Sequence, residues 1–473
     1  MCLKQISHNI YKIPKGNGRN VDIYIYIKKE LLPFIEDDAI KQLAEASSLP
    51  GVAVKVLAMP DLHTGFGLPI GGVMAMDNKN GLVSAGAVGM DINCGVRLLR
   101  VNLGKEELSP STLKLLLKAI KKRVPLGIGK KSKHSESLDK NFVNFIEKGL
   151  PAIIDLGFGR DEDPQYVEDR GFSPGANASN LSNKAFERGN QLSTIGGGNH
   201  FIEIGYVEAI LNKEPSSLYG LQHNQITVLI HTGSRGLGHQ ICNDYTNLFN
   251  KKASSYGIQL PSKGLAAVPI DSPEGNNYLS AMACAANFAY CNRQLITYDV
   301  RKAFTEVFGK HDTSLGLEIV YDIAHNIAKF EEIDGRRLLI HRKGAVRALP
   351  PEHLGNPKVY RKYGHPVIIP GSMGDSSYVV TATSKIKDTL YSANHGAGRL
   401  LSRRAARQKI TPDMFRERMQ GVLFSEEPNH FLDESPHAYK NIDHVVDSLV
   451  EESFITKVAK LKPLAVLKGK DVD

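Results

Sequence analysis

The chain is poor in cysteine, has no long apolar run and lacks the common nucleotide-binding signatures, and each absence narrows what it can do. Five cysteines in 473 residues (Cys2, Cys94, Cys242, Cys284 and Cys291) are odd in number and too sparse for a disulfide framework. That usage points to reduced thiols and a cytoplasmic setting. No run of apolar residues approaches the roughly 20 needed to cross a bilayer, and residues 1–8 carry no secretory-type apolar stretch. No Gly-x-x-x-x-Gly-Lys-Ser/Thr occurs, the glycines at 233–238 have the wrong spacing for a dinucleotide fingerprint, and no Lys-x-Asp-Gly offers a lysine nucleophile. A nucleotide transferred by this chain would be transferred by unconventional means. No repeat, low-complexity tract or Pro/Ser-rich linker divides it either, so residues 1–473 read as a single domain.

What is present is an ordinary globular composition, 42% hydrophobic and 23% charged, with an excess of 59 Lys and Arg over 50 Asp and Glu. The net charge of +9 suits a polyanionic partner without requiring one. The 43 glycines cluster, which suggests loops that approach a ligand closely. Strand-like runs fall at 21–27, 52–59, 96–103, 227–231, 338–341, 346–349, 367–369 and 378–383. Helices are expected at 37–46, 109–124, 276–308 and 443–460, the second opened by Ser109 and closed by Lys121, Lys122 and Arg123. Asn78-Lys79-Asn80-Gly81 reads as a hairpin turn between 68–76 and 81–88, 127–137 as a basic loop, and 160–182 as a long surface loop free to move. The mixture, without regular βαβ alternation, predicts an α+β domain of mixed sheets flanked by helices, with an active site in a central cleft.

The chemistry concentrates around residues 86–97, where Asp91 and Cys94 stand three residues apart among glycines. A carboxylate and a thiolate at that spacing make half of a metal site; alone they read sooner as a tight turn with a buried cysteine. Four of the sixteen histidines share the glycine-rich or polar setting: His200, His231, His325 and His395. A thiolate can bridge two divalent ions, so Asp91, Cys94, His200, His231 and His325 could build a two-metal site suited to phosphoryl transfer. Thiolate favours zinc and carboxylate favours manganese, which leaves the metal open. His395 differs, because Gly396-Ala397-Gly398 lets backbone amides approach a phosphate that Arg399 can clamp. Its imidazole is a competent nucleophile towards phosphorus, the alternatives being a further metal ligand or a histidine at a helix start. Arg399, Arg403 and Arg407 follow at four-residue spacing, a basic face if helical. The turn at 370–378 offers hydroxyls and amides suited to phosphate or ribose.

Taken in order, Pro60-Asp61-Leu62-His63, Gly89-Met90-Asp91-Ile92-Asn93-Cys94-Gly95, Gly198-Asn199-His200-Phe201, His231-Thr232-Gly233-Ser234-Arg235-Gly236, Pro370-Gly371-Ser372-Met373-Gly374, His395-Gly396-Ala397-Gly398-Arg399 and the 462–469 segment resemble the RtcB-type RNA ligases. The resemblance implies an enzyme that uses GTP and two manganese ions, with zinc as a substitute or inhibitor. It would join RNA 3′-phosphate or 2′,3′-cyclic phosphate ends to 5′-hydroxyl ends, in RNA repair or tRNA splicing. It implies that Cys94 bridges the metals, Asp91 and His200 completing one and His231 and His325 the other, and that His395 carries GMP. It assigns nucleotide contacts to Asn199, Glu203, Asn326, Pro370, Gly371, Ser372, Met373, Ser377, Gly396, Ala397, Gly398, Arg399, Tyr439 and Lys468, with Tyr439 stacking on guanine. Asp61, His63, Arg188, Arg235 and Arg403 are assigned to RNA or phosphate. The activator archease is a partner that the resemblance suggests, a membrane is not, and a monomer is expected. Gly196-Gly197-Gly198, where the family often has Gly-Ser-Gly, and Ala393-Asn394 before the histidine are departures that leave every ligand intact. A hydrolase that keeps the metals without forming the guanylate, and an RNA-binding protein with structural zinc, are the competing readings.

Overall fold

The computed structural model describes residues 3–131, 133–134, 138–424 and 427–470 and has an α+β architecture built on two large sheets. The first sheet orders its seven strands Lys4–Ser7, Ile10–Ile13, Asp22–Tyr26, Val52–His63, Ile70–Asp77, Arg336–Lys343 and Asn326–Ile333. The second runs Glu318–Ala324, Gly95–Gly104, Gln225–Thr232, Phe201–Ile210, Ile455–Lys468, Ser377–Ala382 and Val367–Ile369, with the short Leu423–Phe424 beside Ile455–Lys468.

Strand alternation decides which side chains meet. Leu57, Met59, Val73 and Ala75 of the first sheet share one core with Val96, Leu98, Leu229 and Val320 of the second, so the sheets pack face to face. Their neighbours Val56, Ala58, Met74 and Met76 turn the other way, into a core shared with the Asp37–Ser48 helix. On the far side of the second sheet, Leu99, Val101, Ile202, Ile204, Val228 and Ile230 pack against the Pro110–Arg123 helix and against Ile296, Val300 and Phe304. Those last three belong to a 36-residue helix, Pro273–Phe308, which starts where Ser272 Oγ accepts from Gly275 N and stops at Gly309 in the left-handed region. Its middle is buried on every side, and Asn287, Asn292, Arg293, Gln294 and Thr297 are wholly inaccessible to solvent. Such polar groups need partners: Asn292 and Arg293 find them in the turns that carry the site, Asn287 and Gln294 in the segments around residues 146–173.

Several sequence expectations are corrected. Residues 78–81 turn the chain without making a hairpin, because both edges of Ile70–Asp77 are occupied by Val52–His63 and Arg336–Lys343. The next strand, Leu82–Ser84, pairs instead with Ala267–Pro269, and Ala85–Val88 closes a single helical turn. The helix expected over 443–460 ends at Val450; Ser453 takes a φ of 61° and Ile455–Lys468 becomes a central strand. Burial alternates from Lys460 to Leu464 and is continuous over 465–468, where Val466 enters one core and Ala465 and Leu467 the other, as befits a strand covered on both faces. The 160–182 segment runs along the surface in part, yet it contains three short 3₁₀ turns and is pinned by buried Asp163 on Arg301 (2.7 Å) and buried Glu168 on Lys329 (2.7 Å). Of the loop expected at 127–137, residues 132 and 135–137 lie outside the described residues.

Candidate active site

Sheet register assembles the site. His231 lies opposite Val96 on one neighbouring strand and Phe201 on the other, while Gly95 lies opposite Ala324. Cys94, His200 and His325 are each one residue beyond those partners, so four side chains converge at one end of the second sheet. The Asp91–Cys94 turn is fixed from below: Cys94 N donates to Asp91 O (3.0 Å), and Asn93, at a φ of 56°, donates through Nδ2 to Ala286 O (2.9 Å) of the long helix. Arg293 of that helix donates to Asn93 O (2.9 Å) and Thr232 O (3.0 Å), and His325 N donates to Cys94 O (2.8 Å). Gly95 is required, since a Cβ there would sit 2.5 Å from Ile323 O.

The result is a buried cluster of ligating atoms held at close range. His200 Nδ1 lies 3.0 Å from Ile195 O, which turns its Nε2 towards Asp91 Oδ2 (2.8 Å) and Cys94 Sγ (3.3 Å). Cys94 Sγ is 3.4 Å from His231 Nε2, which is 3.3 Å from His325 Nε2. The donor atoms form two triads, Asp91–Cys94–His200 and Cys94–His231–His325, that share the sulfur. His231 Nδ1 and His325 Nδ1 have no hydrogen-bond partner among the described residues. Burial and the neighbouring histidines push both imidazoles well below their ordinary pKa; burial and Asp91 push the Cys94 thiol well up. Such a cluster is costly by itself and favourable around cations, which would deprotonate the thiol and fill the space between the lone pairs. The donor set therefore fits two divalent ions sharing Cys94.

Arginines and glycines complete this side of the site. Arg235 donates from its backbone to Asp91 Oδ1 (3.2 Å) and brings its guanidinium to 3.2 Å from His200 Nδ1. It is buried beside Asp91 and His200. The Gly196-Gly197-Gly198 run makes room for arginines: a Cβ on Gly196 would meet the Arg235 guanidinium at 2.1 Å, and one on Gly198 would meet Arg403 at 2.3 Å. Gly233 likewise clears Asp91, whose Oδ1 would be 2.6 Å from a Cβ. Arg188 is exposed nearby.

His395 follows the Ser392–Asn394 strand, and its ring centre is 4.6 Å from that of His325. Asp61, fully buried, receives both the His395 backbone N–H (3.1 Å) and Nδ1 (2.6 Å) on Oδ2. That contact places the ring proton on Nδ1 and leaves the Nε2 lone pair free. Asp61 is thus placed to orient the His395 ring and is wholly inaccessible to solvent.

Nε2 opens on a cavity of about 300 Å³, within the range of small-molecule sites. Its wall includes most of the assigned nucleotide contacts: Asn199, residues 370–373, residues 396–399, Tyr439 and Lys468, together with His63 and Arg403. Glu203, Asn326 and Ser377 are not on it. Ser377 Oγ accepts from Gly371 N (3.1 Å), and Asn326 links Asp91 O (3.1 Å) to Gly344 N (2.9 Å), so both act as supports. Glu203 lies buried on the Phe201–Ile210 strand, its carboxyl pushed up to about 8 by burial.

Glu434, which sequence reasoning missed, organises the wall opposite His395. It accepts from Tyr439 Oη (2.7 Å) and Lys468 Nζ (3.0 Å), with Arg399 Nη1 at 3.3 Å. Burial would raise its carboxyl, but Lys468 and Arg399 outweigh burial and hold it well below the usual range. Arg399 also stacks over the Tyr439 ring at 4.9 Å. The expected arginine face is only partly helical: Arg403 and Arg407 lie on Arg403–Lys409, Arg399 precedes it, and Arg407 and Arg403 sit 3.5 and 4.0 Å from Asp433 and Glu434. No glycine or histidine marks 431–435, so nothing in the pattern singled it out.

A family model described as tRNA-splicing ligase RtcB matches residues 42–469. Relatives carrying that same name include one from Nanoarchaeum equitans, 46% identical over 478 residues, and one from Archaeoglobus fulgidus, 41% identical over 478 residues. A third, from Thermococcus kodakarensis, is 42% identical over 481 residues. Each alignment covers 99% of both chains. With a shared-sulfur ligand cluster, a carboxylate-held histidine and likeness over its full length, this chain belongs to the RtcB family of tRNA-splicing ligases.

Proposed function

We propose that this chain is an RNA ligase that joins 3′-phosphate or 2′,3′-cyclic phosphate ends to 5′-hydroxyl ends, using GTP and a guanylated His395. One observation carries the reading: an imidazole with Nδ1 held by a buried carboxylate and Nε2 open to a cationic cavity, packed against a histidine of the ligand cluster. In the first step His395 Nε2 attacks the α-phosphorus of GTP; an N–P bond forms and the bond to the bridging oxygen breaks, releasing pyrophosphate. Asp61 stabilises the positive charge that grows on the ring. Arg399 and Lys468 offset charge on the phosphates, and Tyr439 offers a face to the base.

A 3′-phosphate oxygen of RNA next attacks the histidine-bound phosphorus, and the N–P electron pair returns to Nε2. The 5′-hydroxyl oxygen then attacks the activated 3′-phosphorus; the phosphodiester forms, the bond to the bridging oxygen breaks, and the departing GMP phosphate carries away the hydroxyl proton. A cyclic phosphate end is opened by water beforehand. Two manganese ions held by Asp91, Cys94, His200, His231 and His325 would supply Lewis-acid charge at the phosphoryl oxygens. Incubation with α-labelled GTP and manganese tests the reading. Label on the wild type that His395→Ala abolishes is the expected result; hydrolysis of cyclic phosphate ends with no protein label would replace ligation by the hydrolase alternative.

A further inference from the structure

The Val52–His63 strand loses its partners just where it carries Asp61. Its pairing with Asp22–Tyr26 ends at Ala58, and its ladder with Ile70–Asp77 breaks between Ala58 and His63. The carbonyls of 60–62 are therefore buried without sheet donors and need others. Lys440 supplies two: its ammonium, on a residue 1% exposed, donates to Pro60 O (3.1 Å) and Leu62 O (2.6 Å), on either side of Asp61. His63 Nδ1 takes Asp61 O at 2.7 Å. The lysine is itself anchored, since Lys440 N donates to Gly398 O (2.9 Å), and Gly398 lies so close to Asp61 that a Cβ would be 2.4 Å from Asp61 O.

Asp61 Oδ2 alone holds His395, while Oδ1 has no partner among the described residues. The carboxylate's direction is then set by its backbone, and Lys440 grips that backbone on both sides. Water could satisfy two carbonyls at lower desolvation cost, so an ammonium here does more than fill a gap. We propose that Lys440 is a positioning residue for guanylyl transfer, clamping the Pro60 and Leu62 carbonyls so that Asp61 stays aimed at His395 Nδ1. The inference rests on the guanylylation reading above. It links the nucleotide wall, through the adjoining Tyr439, to the group that orients the nucleophile.

The test is single-turnover labelling of the full chain with α-labelled GTP and manganese, for wild type, Lys440→Met, Asp61→Asn and the double variant. Lys440→Met is expected to slow labelling at saturating GTP by about 10–100-fold, the usual cost of losing an outer-shell support, with the half-saturating GTP concentration within about twofold. In the Asp61→Asn background the same change is expected to cost at most about twofold, because the lysine acts through the carboxylate. Should Lys440→Met not melt like a native protein, Lys440→Gln, which keeps an N–H donor, is read in its place against the same expectations. A wild-type rate in the single variant overturns the inference, as does an undiminished further loss on top of Asp61→Asn. Absence of label on the wild type would instead overturn the guanylylation reading.

Discussion

Two buried polar clusters sit three residues apart on the same pair of strands, and they are built on opposite rules. Cys94 and His325 belong to the ligand cluster; Arg97 and Asp322, register partners on the same strands, belong to an ion network. In the network, Asp322 receives Arg97 Nε at 2.7 Å and Arg293 Nη2 at 2.8 Å, and Arg97 Nη1 reaches Gln294 Oε1 (2.6 Å) and Thr297 Oγ1 (3.0 Å). Burial would raise the Asp322 carboxyl, but the two guanidinium groups hold it below its ordinary range. There one carboxylate sits between two guanidinium groups, and most donors meet acceptors, Arg97 Nη2 being an exception among the described residues. In the ligand cluster one carboxylate and three imidazoles crowd one sulfur, and among the described residues no cationic side chain stands between them. The first arrangement cannot lose a member without stranding a buried charge; the second is completed where something positive binds.

Substitutions should separate the two. Asp322→Ala leaves two buried guanidinium groups without a counter-charge and is expected to cost about 3–5 kcal/mol of unfolding free energy in urea titration. Cys94→Ala is expected to cost about 1 kcal/mol by the same measurement while abolishing GTP labelling, since its sulfur makes only weak contacts with His200 and His231 and carries no counter-charge. Equal losses of stability for the two would erase the distinction. A smaller effect is expected one shell out: Asp61→Asn should slow guanylylation about 10³-fold by disfavouring the Nδ1–H form, with an unchanged melting curve.

The sequence displayed the ligand cluster because metal ligands, close backbone approach and turns leave glycines, histidines and a cysteine in short runs. The supports leave no such trace. Glu434 sits in Leu432-Asp433-Glu434, and Lys440 follows a tyrosine, both of which read as surface until burial is known. The 455–468 strand was hidden for a related reason: its lysines favour helix while Ile455, Thr456, Val458 and Val466 favour strand, and its place between two strands decides. The hairpin at 78–81 failed because turn chemistry is local, while strand pairing depends on which edges are already taken.

Two further predictions extend the contrast to single carboxylates. Glu434→Gln should lose about 1.5–3 kcal/mol of stability, because Lys468 and Arg399 lose a charged acceptor. Glu203 should show the reverse sign with pH. Its folded pKa of about 8 lies above the ordinary 4.5, so between those values the folded chain holds a proton that the unfolded chain has lost. Stability from this group therefore falls as pH rises through that window, by at most about 1.4 kcal/mol per unit. Glu203→Gln should gain on the wild type between pH 5.5 and 7.5 in urea midpoints; parallel slopes would contradict this.

The most direct measurement is an anomalous difference map from crystals grown with manganese, collected across the manganese edge. The account predicts two peaks flanking the Cys94 sulfur, one bounded by Asp91 and His200 and the other by His231 and His325. No peak there, or peaks only at sites away from that sulfur, would contradict it.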